Sequence, residues 1–422
     1  MFRLDRLAAG GGIIGLLDIG TSKIACLIVE IERRQRGDVG QIARIIGVGH
    51  KPSQGIKSGV VTDFGLAEPA VRACIGEAER ASGVTLEQVL IAVSCGRVGS
   101  QPFSASAEIH GGIVTDADIE RVLNAGRVHA ERSGRRLLHL NRLAWRLDGI
   151  PGVRDPRGMS ARRLTGDFSA VSTDESPLRN LSILVERCFL RPAGFIAAPY
   201  ASALAATTRE ERQLGVTAID IGGGTTKIAM LAAGQLVFVD VLAVGSDHLN
   251  VDIAQALRTP LAQAERIKAL YGTLLRAQSD ELEGFTYQLA GAEAGETSQA
   301  TKADLARVIA HRFDRLFEQI DERLERSGMK PYAGRSFVVT GGGSGLVGLS
   351  EFASSRWSRP VRTGGAGCGA VLPPGLDDAA FSTVVGLLLA SEDESVVSGI
   401  EGPARAAEGY FGRVGRWLLE GM

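Results

Sequence analysis

A short segment that combines aspartate, glycine and hydroxyl residues occurs twice in this sequence. It reads Leu-Asp-Ile-Gly-Thr-Ser-Lys-Ile-Ala at 17–25 and Ile-Asp-Ile-Gly-Gly-Gly-Thr-Thr-Lys-Ile-Ala at 219–229. Glycines let backbone N–H groups curl around an anion, hydroxyls add donors, and an aspartate at a strand end can hold a hydrated divalent cation beside phosphates. Each copy therefore predicts a phosphate clamp, with Asp18 and Asp220 as the cation-side residues.

A tight hairpin turn that binds nothing would use the same residue types. For one copy alone the two interpretations would have about equal weight. Two matched copies, each with the same aspartate, favour the ligand-binding interpretation.

A third glycine cluster, Gly341-Gly342-Gly343, follows the apolar strand at 337–340 and precedes a helix-like stretch through Phe352. Backbone without side chains can approach a flat base closely. Taken alone, such a cluster is more often a strand-to-helix turn. Its position after the second hairpin strengthens the prediction of a binding role.

The elements that must position these turns are β-hairpins. In each copy an apolar strand ends in the aspartate, and a second strand follows the turn, at 23–31 and at 227–231. Two such hairpins predict two related domains that face each other. The length of 422 residues allows two substantial cores.

Composition excludes several classes of protein. The chain has 47 basic and 48 acidic residues, a formal net charge of -1, so we expect no nucleic-acid partner. Its five cysteines are scattered without a C-x-x-C pair, which argues against a disulfide framework or a zinc site and fits a reducing cytoplasm. The apolar run at 11–17 is interrupted by Asp18, so we expect neither a signal peptide nor a spanning helix.

In this order, the three motifs resemble the phosphate 1, phosphate 2 and adenosine motifs of the superfamily of actin, sugar kinases and DnaK. The resemblance implies an α/β, actin-like fold of two related domains with RNase H-like cores, and ATP with Mg²⁺ in the cleft between them. It implies that Asp18 and Asp220 lie on the magnesium side, through water. The implied phosphate-side residues are Gly20, Thr21, Ser22, Lys23, Gly222, Gly223, Gly224, Thr225, Thr226, Lys227 and Gly245, and Gly341, Gly342 and Gly343 are implied near the adenosine.

Within that superfamily, finer features resemble the FtsA family. Val-Gly-Ser-Asp at 244–247 precedes a helix at 249–257, and Ala-Glu-Arg-Ile-Lys at 264–268 is similar to the family's Ala-Glu-x-Ile-Lys segment. By resemblance Glu265 and Lys268 reach the ribose and adenine, although a Glu–Lys pair three residues apart is equally common on a solvated helix face.

The resemblance also implies a subdomain, called 1C, inserted in the first domain. The chain there reads as strands at 89–94 and 104–108, a helix at 116–130 with Thr115 as its N-cap, and further strands. The predicted division is 1–85 with 172–197 (subdomain 1A), 86–171 (1C), 198–239 with 327–390 (2A), 240–326 (2B), a flexible linker at 391–403 and an amphipathic helix at 404–422.

One departure from the superfamily concerns hydrolysis. Relatives that hydrolyse ATP position the attacking water with a Gln or Glu, and Ala198 stands at the comparable position here. A methyl group cannot orient water for in-line attack. We therefore expect ATP to bind and to be hydrolysed slowly, if at all, with no catalytic residue assigned.

The C-terminal segment predicts a membrane contact. At 100° per residue, Tyr410, Phe411, Val414, Trp417 and Leu418 fall in one arc, with Arg413 and Arg416 toward the polar side. Aromatic anchors with arginines suit an interfacial helix on an anionic lipid membrane, and the segment is too short and too charged to span it. The alternative is a terminal helix docked on the protein's own core.

The resemblance implies further partners. They are the C-terminal peptide of FtsZ on subdomain 2B, further copies of the chain in a filament, and later division proteins on 1C. In 2B we predict a late helix at 302–326, on which Arg307 and Arg312 are candidate contacts. Charge on a helix is also typical of a solvated face. The implied location is the cytoplasmic face of the inner membrane at the division site.

Three rival interpretations remain at this point. A sugar or acetate kinase would need a catalytic carboxylate in the cleft. A DnaK-type chaperone would continue into a peptide-binding β-domain. A PilM-like pilus component is closer, and only the Ala-Glu-x-Ile-Lys segment, the 1C-like unit and the C-terminal helix separate it from an FtsA-like protein.

Overall fold

We describe the protein from a computed structural model, which describes residues 12–32, 42–131, 134–291, 296–329, 334, 336–367, 372–392 and 397–398. Two β-sheets with helices around them form the body of the chain.

The first sheet holds the first glycine turn. It has the strand order β11-β6-β1-β2-β3. Strands β1 and β2 are antiparallel, whereas β6 runs parallel to both β1 and β11. The bounds are β1 Gly12–Ile19, β2 Lys23–Glu32, β3 Ile42–Pro52, β6 Gln88–Val93 and β11 Arg191–Ala197; a small hairpin pairs β4 Ile56–Lys57 with β5 Val60–Val61. Helices α1 (Phe64–Ser82) and α3 (Glu175–Arg187) cover this domain.

The second sheet holds the other two turns and continues into the insertion. Its order is β18-β17-β12-β13-β14-β7-β10-β8-β19, where β19 is Val397–Ser398, and β9 pairs with β8. The bounds are β12 Val216–Ile221, β13 Thr226–Ala232, β14 Gln235–Leu242, β17 Ser336–Thr340 and β18 Val361–Thr363 in the second domain, and β7 Gly99–Glu108, β8 Arg136–Leu147, β9 Ile150–Val153 and β10 Arg163–Thr173 in the insertion. A single pairing, Asp240 with Gly99, joins the two parts.

The inserted subdomain has its own core. Helix α2 (Asp116–Glu131) packs against β7, β8 and β10, and Val122 and Phe168 are buried there. Thr115 caps α2, as predicted, because its hydroxyl accepts from the Asp118 N–H. Strand β6 falls within the range predicted for the insertion, yet it is buried between β1 and β11, so we place the start of the insertion after β6.

Two buried helices lie between the sheets. Every residue of α4 (Ala198–Ala206) is buried. Helix α4 lies against β12, β13, β14 and β17, and α10 (Ser382–Glu392) lies against β1, β2 and β6. The two helices cross with Gly386 directly on the Ala201 carbonyl, where a Cβ would overlap the backbone. The layers are therefore sheet, helix, helix and sheet.

The outer part of the second domain forms a separate helical core. It contains α6 (Ser246–Leu257), α7 (Leu261–Tyr271), the hairpin β15 (Gly284–Gln288) and β16 (Thr297–Thr301), and α8 (Lys302–Arg326). The predicted helix at 302–326 is confirmed with the same bounds. Phe313 and Phe317 of α8 are buried, and Phe317 lies 4.4 Å from the Trp357 ring. Helices α5 (Arg209–Leu214) and α9 (Leu349–Trp357) complete the domain.

The tail is described only in part. Helix α10 extends to Glu392, and Val397–Ser398 forms β19, which pairs with Leu140 and His139 of β8. The predicted amphipathic helix at 404–422 and the rest of the predicted linker lie outside the described residues. Within the described ranges, no helix is both long enough and apolar enough to cross a bilayer.

Candidate functional site

The first glycine turn joins β1 to β2. The Gly20 N–H donates to the Lys23 carbonyl at 3.0 Å and closes the turn. Asp18 lies near the end of β1 and is half-buried. The Lys23 ammonium lies 3.5 Å from the centre of the Phe381 ring, a cation–π contact with the residue just before α10.

The second glycine turn joins β12 to β13 in the same way. Its Gly222 N–H donates to the Thr225 carbonyl at 2.9 Å. Backbone N–H groups at the start of α6 hold this turn, since Ser246 donates to Gly222 at 2.8 Å and Asp247 to Gly223 at 2.9 Å. Gly245 has to be glycine because a Cβ there would overlap the Gly222 and Gly223 carbonyl oxygens.

The two turns face each other across the cleft. A Cβ on Gly224 would lie 2.5 Å from the Thr21 hydroxyl oxygen, and a Cβ on Gly223 would lie 2.7 Å from the Ser22 hydroxyl oxygen. These distances are too short for a side chain, so the absent side chains let the hairpin tips meet. Residues more than 200 positions apart in the sequence thus form one site.

A cavity of about 160 Å³ lies between the two turns. It is lined by Asp18, Gly20, Thr21, Ser22, Lys23, Ser94, Asp220, Gly222, Gly223, Gly224, Thr225, Lys227, Ser246, Gly341, Gly342, Ala379, Ala380 and Thr383. Hydroxyls, two lysines and glycine backbone could bind an anion in this cavity, and Asp18 and Asp220 bring two carboxylates to the same lining.

The third glycine turn connects this cavity to a second one. Gly341 has φ +83°, a conformation that L side chains rarely adopt, and its Cα lies against the Asp220 carboxylate. The second cavity, of about 240 Å³, is lined by Gly342, Gly343, Ser246, Lys268, Leu249, Ala269, Gly272, Phe313, Gly345, Leu346 and Val347. Ser246 and Gly342 line both cavities, so they are parts of one cleft.

Asp220 is held by two side chains. The Lys227 ammonium donates to the Asp220 carboxylate at 2.8 Å, and the Thr383 hydroxyl donates to the same oxygen at 3.1 Å. All three residues are buried. Burial lowers the pKa of Lys227, but Asp220 and Asp18 raise it, and its pKa is raised overall.

Asp18 has a different environment. Among the described residues, no hydrogen bond or ion pair reaches its carboxylate. Burial raises the pKa of Asp18, and Asp220 raises it further, while Lys227 and Lys23 act in the opposite direction. In the parts of the chain that the structure describes, no group of three or more His, Cys, Asp or Glu side chains could hold a metal ion.

Most of the predicted site residues lie together. Thirteen of them line the first cavity, and Lys268 and Gly343 line the second. Thr226 lines neither, because its hydroxyl is buried and donates to the Val244 carbonyl at 2.8 Å. Glu265 is exposed and also lies outside both linings. Gly245 lines neither cavity and packs against the Gly222 and Gly223 carbonyl groups of the second turn. The predicted membrane residues, Tyr410, Phe411, Arg413, Val414, Arg416, Trp417 and Leu418, lie outside the described residues.

Sequence reasoning missed several lining residues. Ser94 follows β6, and the carboxyl end of a parallel strand is a usual place for a ligand, so that signal was present. Ala379, Ala380 and Thr383 reach the cavity from the far end of the chain and carry no motif.

Two family models match this chain, and both describe parts of the same family. A family model for the cell division protein FtsA matches residues 217–386, and a model for the SHS2 domain inserted in FtsA matches residues 96–172. The second match confirms the inserted subdomain of the predicted fold.

Curated relatives cover nearly the whole chain. Cell division protein FtsA of Agrobacterium fabrum is 36% identical over 418 residues, 97% of this chain and 94% of the relative. The proteins of the same name from Pseudomonas aeruginosa and Escherichia coli K12 are 33% and 30% identical, over 90% and 96% of this chain and 89% and 95% of the relatives.

A solved structure shares the fold. A chain of a PilM–PilN type IV pilus biogenesis complex superposes with a TM-score of 0.61 at 17% identity, covering 89% of this chain and 98% of that chain. At this identity the likeness concerns the fold alone, and the predicted actin-like fold with its insertion is confirmed. The relatives decide between the rival interpretations, and the chain belongs to the FtsA family of cell division proteins.

Proposed function

We propose that this chain binds ATP in the cleft between its two glycine hairpins and tethers the division ring to the membrane. The observation that carries the nucleotide proposal is the pair of hairpin tips around one polar cavity that opens onto a second cavity beside Gly342 and Gly343. Phosphates would lie between the hairpins and the adenosine beside Lys268.

The residues of the cleft fit a bound nucleotide. Of the two predicted magnesium-side aspartates, Asp18 fits that role and Asp220 does not. The half-buried Asp18 carboxylate faces the cavity and would hold Mg²⁺ through water. Asp220 does not fit this role, because one of its oxygens binds Lys227 and Thr383 and the other lies against Gly341. We therefore keep Asp18 alone as a magnesium-side residue.

Slow hydrolysis is part of the proposal. Ala198 is the first residue of α4 and is fully buried, directly after β11. It brings no group that could orient a water molecule. ATP would then act mainly as a bound structural ligand.

The membrane contact would come from residues 404–422, whose apolar arc carries Trp417. Several tails on one filament of this chain would bind more firmly than one tail. The test is co-sedimentation with anionic liposomes in ATP and magnesium, comparing the full chain with a chain that ends at Pro403. We expect only the full chain to pellet with lipid.

Point variants sharpen this test. Trp417→Glu places a charge on the apolar arc and should abolish pelleting, whereas Glu420→Gln on the polar side should leave it intact. If the truncated chain pellets equally, or the full chain fails to pellet, the tail is not the anchor and the tether proposal fails.

The proposed partners are the C-terminal peptide of FtsZ on subdomain 2B and later division proteins on the inserted subdomain, at the cytoplasmic face of the inner membrane. Two arginines of α8 differ in what they can offer a peptide. Arg307 is exposed, and among the residues that the structure describes it pairs with Asp304 of its own helix. Arg312 is bound through both Nε and Nη2 to Asp252 of α6.

Fluorescence anisotropy with a labelled FtsZ C-terminal peptide tests this assignment. Arg307→Glu should weaken binding without changing the melting temperature. Arg312→Glu should lower the melting temperature, because it breaks a partly buried pair. Unchanged peptide affinity in Arg307→Glu would remove that residue from the proposed surface.

A further inference from the structure

A lysine of the second hairpin lies where a divalent cation would be expected beside Asp220. Lys227 is buried, with 8% of its surface exposed, and lines the phosphate-side cavity. Its ammonium group donates to Asp220 at 2.8 Å and lies 3.2 Å from the Thr383 hydroxyl oxygen. It is also within electrostatic reach of Asp18.

The register of the hairpin fixes this contact. Asp220 and Lys227 are directly opposite each other in the β12–β13 pairing, so their side chains lie on the same face. In the first hairpin the residue opposite Asp18 is Ala25. The built-in cation therefore belongs to the second hairpin.

The charged side chains that line this cavity are balanced. They are two carboxylates, Asp18 and Asp220, and two ammonium groups, Lys23 and Lys227. A triphosphate placed beside two unscreened aspartates would be repelled, and a divalent cation would normally remove that repulsion. At Asp220 the paired Lys227 ammonium already does so, while Lys227 and Lys23 act on Asp18 only through their electrostatic field.

We infer that Lys227 acts as an internal counter-cation, so that this cleft binds ATP with little dependence on divalent metal. The inference rests on the proposed ATP binding and adds a positioning role for one residue. Lys227 binds and neutralises Asp220, so of the two aspartates that line the cavity, Asp18 remains available to a metal.

The experiment is isothermal titration calorimetry of the full chain with ATP, in Mg²⁺ and in EDTA. For the unmodified chain we expect the Kd to rise by less than about fivefold in EDTA. For Lys227→Met, which keeps the length of the side chain and removes its charge, we expect a rise of at least about tenfold, because Asp220 is then unscreened.

The double variant Lys227→Met with Asp220→Asn removes both charges. It should return to weak dependence on metal, since no unscreened carboxylate remains at position 220. Lys302→Met is the matched control. Lys302 pairs with Glu283 on the surface and lies outside both cavity linings, so its loss should change neither Kd.

The unmodified chain alone can overturn the inference, so the result does not depend on whether a variant folds. A Kd of the unmodified chain that rises by about fivefold or more in EDTA would overturn it while leaving ATP binding intact. A double variant as metal-dependent as Lys227→Met would overturn it as well. Absence of binding in both buffers would overturn the proposed ATP binding, and this inference with it.

Discussion

The two glycine hairpins share residue types and turn geometry but differ in how their aspartates are bonded. Each turn is closed by one backbone hydrogen bond of about the same length, 3.0 Å in the first and 2.9 Å in the second. Asp18 is half-buried and has no hydrogen-bond partner among the described residues, whereas Asp220 is buried between Lys227, Thr383 and Gly341. A duplicated motif has thus produced one open carboxylate and one that is structurally fixed.

The spacing of the lysine explains the difference. Lysine follows the aspartate by five residues in the first copy and by seven in the second. The two turns have the same length, because the residue opposite the aspartate lies seven positions after it in both copies, Ala25 in the first and Lys227 in the second. Lys23 lies two positions before Ala25 and contacts Phe381. The position of the lysine in the sequence, and not the length of the turn, therefore decides whether it lies directly opposite the aspartate.

The largest expected effect comes from Gly341→Ala, which disturbs the packing around the buried Asp220 carboxylate. An added Cβ would overlap the Asp220 carboxylate and lie 2.7 Å from the Ile221 carbonyl oxygen, at a positive φ. We expect the free energy of unfolding to fall by about 3 kcal/mol or more, measured by urea denaturation. Gly345→Ala in the same turn is the control, since nothing lies within 4 Å of its Cβ and it should unfold like the parent chain.

Exchanging each aspartate for asparagine tests the comparison directly. Asp220→Asn leaves the Lys227 ammonium buried without its counter-ion, and we expect a loss of about 3 kcal/mol of unfolding free energy. Asp18→Asn removes a carboxylate whose pKa burial raises, and we expect no loss and a gain of up to about 1 kcal/mol. Equal losses in urea denaturation would contradict the proposed difference between the two aspartates.

A smaller effect is expected where the two hairpins meet. Gly224→Ala would bring a Cβ to 2.5 Å from the Thr21 hydroxyl oxygen and push the tips apart, so the Kd for ATP should rise about tenfold. Isothermal titration calorimetry with ATP measures this change, and the same substitution made in a chain that carries Thr21→Gly is the control. All three atoms nearest to the new Cβ belong to Thr21, so Gly224→Ala should add little there.

The smallest effect concerns the lysine of the first hairpin. Lys23→Met removes the cation–π contact with Phe381, and we expect a loss of about 0.5–1 kcal/mol of unfolding free energy. A double-mutant cycle with Phe381→Leu isolates this contact. A coupling energy near zero would mean that the two side chains contribute independently.

Much of the fold follows from the sequence because its strands are apolar and its turns are rich in glycine. The duplicated segments predicted two facing hairpins, and α8 was predicted with its exact bounds. The start of the insertion was not predictable in this way, since β6 is as apolar as any core strand and pattern alone does not show which sheet it joins.

The site residues that belong to the two glycine turns were predictable from the sequence. Those that come from distant segments of the chain were not. The glycine and hydroxyl residues of both turns line the cavity. Thr383 lies 163 residues from Asp220 and enters the site only through the packing of α10. The pairing of Lys227 with Asp220 was present in the spacing, but it becomes visible only once the register of the turn is known.

The contact of Gly386 with Ala201 has a consequence for movement. Helices α4 and α10 are each packed on a different sheet and touch backbone to backbone at that point, with no side chain between them. Sliding one helix along the other would drive neighbouring side chains into the opposite backbone, whereas turning about the contact keeps it intact. We therefore expect any opening or closing of the cleft to be a rotation about this contact rather than a slide of one helix along the other.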